Sequence, residues 1–240
     1  MDSWRSASSP WGVQPRPFTY AAHFLGIVSV VFVFVWTIYF RGGINFNSAN
    51  TNHIFNVHPS LMLLGLVFLA SEAILAYKTL PGSKMFRKVV HLSLHFTALA
   101  LGIVGIIAAF KYHNLNSIDN LYSLHSWLGL VTIILFGVQW LIGFVTFFFP
   151  GLALSSRAAV LPWHVFFGLF IYGLTLATTE LGFLEKLTFL QQGGTITRFS
   201  AEAMFVNVLG LIVVLLGASV VFAAVIPVPQ ASGDDYTPIE

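Results

Sequence analysis

The stretch SWLGLVTIILFGVQWLIGFVTFFF, residues 126–149, carries no charged side chain anywhere along its length. A hydrocarbon core about 30 Å thick takes roughly 20 residues of helix to cross, so this run is long enough to span a bilayer. It must do so as a helix, because an open sheet in lipid leaves backbone N–H and C=O groups without partners. Working outward, five more apolar runs of the same kind appear at residues 18–39, 59–77, 89–110, 163–179 and 203–226. The fifth of the six, 163–179, is the shortest and extends to Leu184 on a looser reading. The expected fold is all-α, a six-transmembrane-helix bundle. It forms one domain over residues 18–226, between tails at 1–17 and 227–240.

Composition points the same way. Hydrophobic residues make up 57% of the chain and charged residues 8%, against about a quarter charged in soluble proteins. Eleven basic and nine acidic side chains cannot cover a water-soluble fold of 240 residues. A net charge of +2 with scattered basic residues excludes a nucleic-acid footprint. With no cysteine, disulfides, thiolate metal sites and covalent C-x-x-C-H haem attachment are all excluded. The polar start, residues 1–17, precedes an apolar run too long for a signal-peptide core, so the first run reads as a retained span.

Six spans put both termini and the 2–3 and 4–5 loops on one side. Basic residues favour the cytoplasm, and that side holds Arg5, Arg16, Lys78, Lys84, Arg87, Lys88 and Arg157. The other side holds Arg41, Lys111, Lys186 and Arg198. The short basic loop TLPGSKMFRK, residues 79–88, weighs most, and both termini are expected to be cytoplasmic.

Eight histidines stand out in so apolar a chain. His58, His91, His125 and His164 fall near the entry points of the second, third, fourth and fifth spans. Because consecutive spans run in opposite directions, His58 and His125 share one leaflet and His91 and His164 share the other. A haem held without a covalent bond takes imidazoles as axial ligands, and facing helices of a bundle supply such ligands at equal height. The sequence offers that arrangement twice, with the two sites roughly 20 Å apart across a ~30 Å core. Gly129 and Gly168, each four residues after its histidine and on the same helical face, offer the close approach that a flat macrocycle needs. Single membrane histidines also serve as helix-to-helix hydrogen-bond donors. Four in a depth-matched pattern point to function, since ionisable groups in lipid are costly.

His95, one turn deeper than His91 on the same face, is an alternative ligand, or with His91 forms a non-haem metal site. His91 matches His164 better in depth. A metal-ion transporter built on His91 and His95 is the rival reading, although the third span offers no carboxylate at that depth. A quinol-oxidising b cytochrome calls for two histidines about 13 or 14 residues apart on each of two helices, which no span here has. His53 is expected in a loop and His23 near the membrane interface. Glu72, inside the second span, reads as a hydrogen-bonding group with Lys78 or a haem edge as partner.

At these residues the chain resembles the cytochrome b561 family, and its plant members most. The segments that carry the resemblance are FNVHP (55–59), YSLHSWLG (122–129), PWHVFFG (162–168), LEKLTFL (184–190) and ITRFSAEA (196–203). The resemblance implies six helices with the second to fifth forming a four-helix core around two b haems. The implied ligand pairs are His58 with His125 and His91 with His164, in a homodimer. It also implies ascorbate as cytoplasmic electron donor, and a ferric chelate or monodehydroascorbate as acceptor on the far side. The membrane is expected to be a plasma membrane or an endomembrane such as the vacuolar one.

An ascorbate anion calls for a cationic docking site near the cytoplasmic pair. Lys84, Lys88 and Arg157 fit, with Lys88 three residues from His91, while Arg87 reads as an interface charge. On the far side His113 and Tyr122 flank the 3–4 loop close to His125, where the resemblance places acceptor-binding residues.

Overall fold

Helix boundaries follow local capping chemistry more than hydropathy. A computed structural model of the chain describes residues 15–226, so the expected tails at 1–17 and 227–240 lie almost wholly outside the described residues. Six helices are long and apolar enough to cross a membrane: α1 Arg16–Phe40, α2 Thr51–Thr79, α3 Lys84–Leu115, α4 Leu124–Phe147, α5 Leu154–Gln192 and α6 Ala201–Val225. Among the described residues there is no strand. Asn50 caps α2 by accepting from the Asn52 N–H, and Ser83 caps α3 by accepting from the Phe86 N–H. Ser200 does the same for α6 through the Ala203 N–H. At α4 Ser123 and Ser126 form a reciprocal capping box, which fixes where the helix begins and hence the height of His125.

The fifth span differs from its expected length. It is not the shortest but the longest helix, 39 residues from Leu154 to Gln192. Pro162 and the charges of Glu180, Glu185 and Lys186 interrupt the apolar run in sequence without ending the helix. Pro59 likewise lies inside α2, which begins eight residues earlier at Thr51. His58 and His164 therefore sit within their helices rather than at the openings, and His53 belongs to the first turns of α2 rather than to a loop. Proline removes one N–H donor and leaves the carbonyl four residues back without its usual partner.

Two segments are wound as π-helix: Trp36–Phe40 at the end of α1 and Leu63–Leu69 in the middle of α2. The second is where α2 meets its neighbours most closely. The helices α2, α3, α4 and α5 contact one another in a closed ring, and α1 and α6 pack together along the α2–α5 side. The filled core lies behind the ring, not inside it. Trp36 and Val33 of α1, Leu63, Val67 and Leu75 of α2, and Leu209, Val213 and Leu216 of α6 are all at most 2% exposed. Small residues permit this approach, as expected where no hydrophobic force drives helices together in lipid. Ala22, Ser29, Ala70, Ala73, Ala203 and Ala223 are buried there too. The fold is the expected six-helix bundle with a four-helix ring at its centre.

Gly65, in the π segment, shows how tight the crossing is. A Cβ there would stand 3.0 Å from the Ala98 carbonyl oxygen and 3.0 Å from Leu101 Cβ. Gly65→Val should force α2 and α3 apart, at the ~1–3 kcal/mol typical of overpacking. Thermal unfolding in detergent should show a lowered midpoint, and an unchanged one would mean that these backbones do not meet.

Candidate functional site

Each of the four paired histidines is oriented by a group on another helix. His58 Nδ1 lies 3.0 Å from the Gly105 carbonyl oxygen of α3, and His91 Nδ1 lies 2.8 Å from the Ala73 oxygen of α2. His125 Nδ1 lies 2.9 Å from the Thr178 oxygen of α5. A carbonyl only accepts, so in these three the proton is on Nδ1 and the Nε2 lone pair is free. His164 Nδ1 meets the Gln139 side-chain amide at 3.1 Å. The same amide nitrogen donates to the His164 main-chain carbonyl at 2.7 Å, which ties this turn of α5 to α4.

The rings then pair across the bundle. The centroids of His58 and His125 are 6.1 Å apart with planes at 88°, and those of His91 and His164 are 6.3 Å apart at 62°. Two imidazoles bonded at about 2 Å to opposite sides of one metal ion have centres about 6 Å apart, so both spacings fit a bis-imidazole iron. Fourteen residues separate His91 from Gly105 on α3, about 21 Å of helix, which agrees with the expected separation of the two sites.

Two glycines beyond the expected ones make room for the histidine rings themselves. A Cβ on Gly182 of α5 would stand 2.8 Å from His125 Cε1, and one on Gly143 of α4 would stand 2.9 Å from His164 Cε1. Each histidine of the α4–α5 pair rests on a glycine of the other helix. Gly129 lines the cavity at His125, and Gly168 faces Gln139. The spacing of four residues pointed along the histidine's own helix, whereas the steric demand falls across to its partner.

A cavity of ≈ 460 Å³ surrounds the His58–His125 pair. Its walls are mostly apolar, with Met62, Leu66, Leu130, Ile133 and Phe183 among them. Several polar atoms at its edge are buried without a partner among the described residues, namely His113 Nδ1, Thr132 Oγ1 and Thr178 Oγ1. An apolar chamber with orphaned polar groups at the rim suits a large, flat, mostly apolar cofactor with polar substituents.

His113 and Tyr122 come together at this end, ring centroids 6.4 Å apart, and both line the cavity. Burial, then the Glu185 carboxylate and the Tyr112 phenol, push the Tyr122 phenol above its usual value, so it stays a hydrogen-bond donor at neutral pH.

At the opposite end Lys88 Nζ donates to the Phe147 carbonyl at 2.9 Å, and Phe147 in turn packs 5.2 Å from the His164 ring. Arg157 Nε donates to the Leu152 carbonyl at 2.6 Å. Lys84 is exposed, and it and Arg157 are the charges that act on Lys88. The three cations thus cluster beside the His91–His164 pair. Arg87 points away to the Tyr77 carbonyl.

His95 stands edge-on to His91 with centroids 4.6 Å apart and packs against Phe136 at 5.3 Å. It faces no histidine at the 6 Å spacing of the two pairs. Among the described residues no three histidine or carboxylate side chains gather as metal ligands, and His91 and His95 stand together without a third. Glu72 pairs with His23 Nδ1 at 2.9 Å, not with Lys78, which donates to the Ile226 carbonyl. His53 contacts Ser48 and Asn50, away from either pair.

The relatives bear on this geometry. The model of eukaryotic cytochrome b561 matches residues 57–190, a stretch that holds all four paired histidines. The chain belongs to that family. It is 56% identical over 229 residues to an ascorbate-specific transmembrane electron transporter of Zea mays, covering 95% of this chain and 97% of that one. It is also similar to two proteins of Arabidopsis thaliana named transmembrane ascorbate ferrireductase. One is 48% identical over 219 residues, 91% of this chain and 94% of the relative, and the other 50% identical over 206 residues, 86% of each. As a cytochrome b561 the chain binds haem b.

Sequence reasoning missed a buried polar cluster behind the His58–His125 cavity. Trp36, which lines the cavity, donates through Nε1 to Glu202 Oε1 at 2.8 Å, and Arg41 pairs with the other oxygen of the same carboxylate. The signal was present, since Glu202 lies in the segment ITRFSAEA at the start of an apolar span, where an unpaired acid is costly. Removing one partner of a buried pair costs about 3–5 kcal/mol because the other charge is left alone. Glu202→Gln should lower the unfolding midpoint of the purified protein well below wild type. The double variant Arg41→Met/Glu202→Gln should recover part of the loss. A loss in the double variant equal to the sum of the Arg41→Met and Glu202→Gln losses would show that the pair is uncoupled.

Proposed function

We propose that this chain is a two-haem transmembrane oxidoreductase that takes electrons from ascorbate at the basic end of the bundle and passes them to an acceptor at the other. The observation that carries the two-haem part is the repeated geometry: two histidine pairs, each at about 6 Å, with Nε2 of His58, His91 and His125 free for a metal. In this reading His58 and His125 hold one haem b and His91 and His164 the second, non-covalently. Bound between such rings, an iron centre accepts and returns one electron at a time, which is the chemistry the cofactor supplies. His91 is preferred to His95 because it alone has both the carbonyl partner and the facing imidazole.

Lys84, Lys88 and Arg157 are proposed to bind the ascorbate anion. They attract it, and Lys88 and Arg157 donate charge-assisted hydrogen bonds close to the His91–His164 pair. The relatives' names, ascorbate-specific electron transporter and ascorbate ferrireductase, support the donor and one class of acceptor. His113 and Tyr122, at the mouth of the other cavity, are proposed to receive the acceptor, a ferric chelate or monodehydroascorbate. Tyr122 donates a hydrogen bond there and His113 takes part in proton exchange. The cationic end faces the cytoplasm in this proposal, as basic loops do, and with it both termini. The membrane is a plasma membrane or an endomembrane such as the vacuolar one, and the assembly is a homodimer.

Haem content tests the ligand assignment. The purified protein should carry two b haems per chain. His125→Ala should keep one of them, His164→Ala should keep the other, and His95→Ala should keep both. Loss of a haem in His95→Ala with retention of both in His91→Ala would reverse the choice between these two residues.

Stopped-flow reduction tests the donor site. Lys88→Ala and Arg157→Ala should each weaken ascorbate binding roughly tenfold to a hundredfold, the effect of about 1.5–3 kcal/mol from one charge-assisted bond. Haem spectra and reduction by dithionite should be unchanged. Ascorbate rates equal to wild type in both variants would leave these residues with a topological role only.

A further inference from the structure

Lys186 is a cation for which the proposed mechanism has no use. It lies on α5, four residues after the Gly182 on which the His125 ring rests, and so on the same face one turn further out. Its Nζ stands 3.8 Å from the centroid of the Phe55 ring and 5.7 Å from that of Tyr112, and the side chain lines the cavity of the His58–His125 pair.

Among the described residues Lys186 has no hydrogen bond and no carboxylate within ion-pair distance, because the ion pairs present are His23–Glu72 and Arg41–Glu202. Glu202 is committed to Arg41 and Trp36, and Glu180 lies against Gly210 of α6. The aromatic rings offset part of the cost of placing an ammonium there. They do not supply a counter-charge. The Glu202 carboxylate acts on Lys186 only from a distance, and Glu185, which also lines the cavity, makes no ion pair with it. A half-buried cation here lacks a direct partner. The ligand of this cavity therefore brings the negative charge. A plate that is apolar over its body and carries carboxylates on one edge matches a chamber that is apolar around Leu66 and Ile133 and cationic at Lys186.

We propose that Lys186 is the counter-cation of a propionate carboxylate on the haem held between His58 and His125, and that it raises the reduction potential of that centre. The inference rests on the two-haem reading above. The sign follows from electrostatics: a cation near the iron stabilises the added electron, and without it an unneutralised carboxylate stabilises the ferric state.

Lys186→Met removes the charge at similar volume, and Lys186→Arg keeps it. Potentiometric titration followed optically, together with haem quantitation, should be run on the full-length protein in detergent with no acceptor added. All three proteins should carry two haems. In Lys186→Met one of the two potentials should fall by about a tenfold change in the ferric–ferrous equilibrium, 59 mV for a one-electron couple, while the other stays in place. Lys186→Arg should titrate close to wild type. If Lys186→Met loses the haem at His58 and His125 and Lys186→Arg retains it, charge rather than size holds the cofactor, and the proposal stands. Potentials in Lys186→Met equal to wild type overturn it. So does Lys186→Arg shifting as far as Lys186→Met or losing the same haem. A shift that appears only when an anionic acceptor is added assigns Lys186 to the acceptor and also sinks the proposal. A wild type without haem at the His58–His125 pair overturns the two-haem reading, and this inference with it.

Discussion

In hydrocarbon an imidazole N–H has no water to bond, and here the acceptor it finds belongs to another helix. Three of the four paired histidines donate to a main-chain carbonyl across a helix interface. That single bond satisfies a polar group that would otherwise be costly, fixes the tautomer, and docks two helices at a set height. The same second-partner bond orients histidine ligands in metal sites generally. Helix packing and cofactor geometry are therefore one constraint: if α2 slides along α3, both His58 and His91 lose their acceptors together.

That constraint explains the irregular winding of α2. The helix presents His58 to Gly105 of α3 near one end and the Ala73 carbonyl to His91 of the same helix near the other. Between them lies the π segment Leu63–Leu69, which inserts extra residue per turn and shifts the phase of everything beyond it. Wide turns of this kind recur at functional sites because they re-aim one part of a helix relative to the rest. Within the segment Val67 also accepts from Ser71, which meets the buried Tyr172 hydroxyl of α5. The irregular segment thus contacts both flanking members of the ring.

Much of this was legible in the sequence, for identifiable reasons. Apolar runs of some 20 residues state the number of spans, and alternating span direction sorts His58, His91, His125 and His164 into pairs without any knowledge of packing. What could not be read was anything that depends on the opposite helix. Gly182 and Gly143 are just glycines until His125 and His164 are placed over them. Nothing in the chain order brings Glu72 to His23 or Glu202 to Arg41 and Trp36. The true length of α5 was hidden because hydropathy measures transfer to lipid, whereas a helix continues past Pro162 and Lys186 wherever its hydrogen bonds are met.

The two layers of the bundle divide the energetic work. The close-packed apolar core joins α1, α2 and α6, while the α2–α5 ring encloses a ≈ 460 Å³ cavity at one histidine pair. Any cofactor that fills it contributes its binding free energy to the folded state. The stretch shared with eukaryotic cytochrome b561, residues 57–190, runs from the start of the ring in α2 to near the end of α5 and leaves out α1 and α6. The shared part is the part whose side chains must meet a common cofactor. The outer helices lie against it through small and apolar residues and the ion pair of His23 with Glu72, and the pair of Arg41 with Glu202 joins the end of α1 to α6.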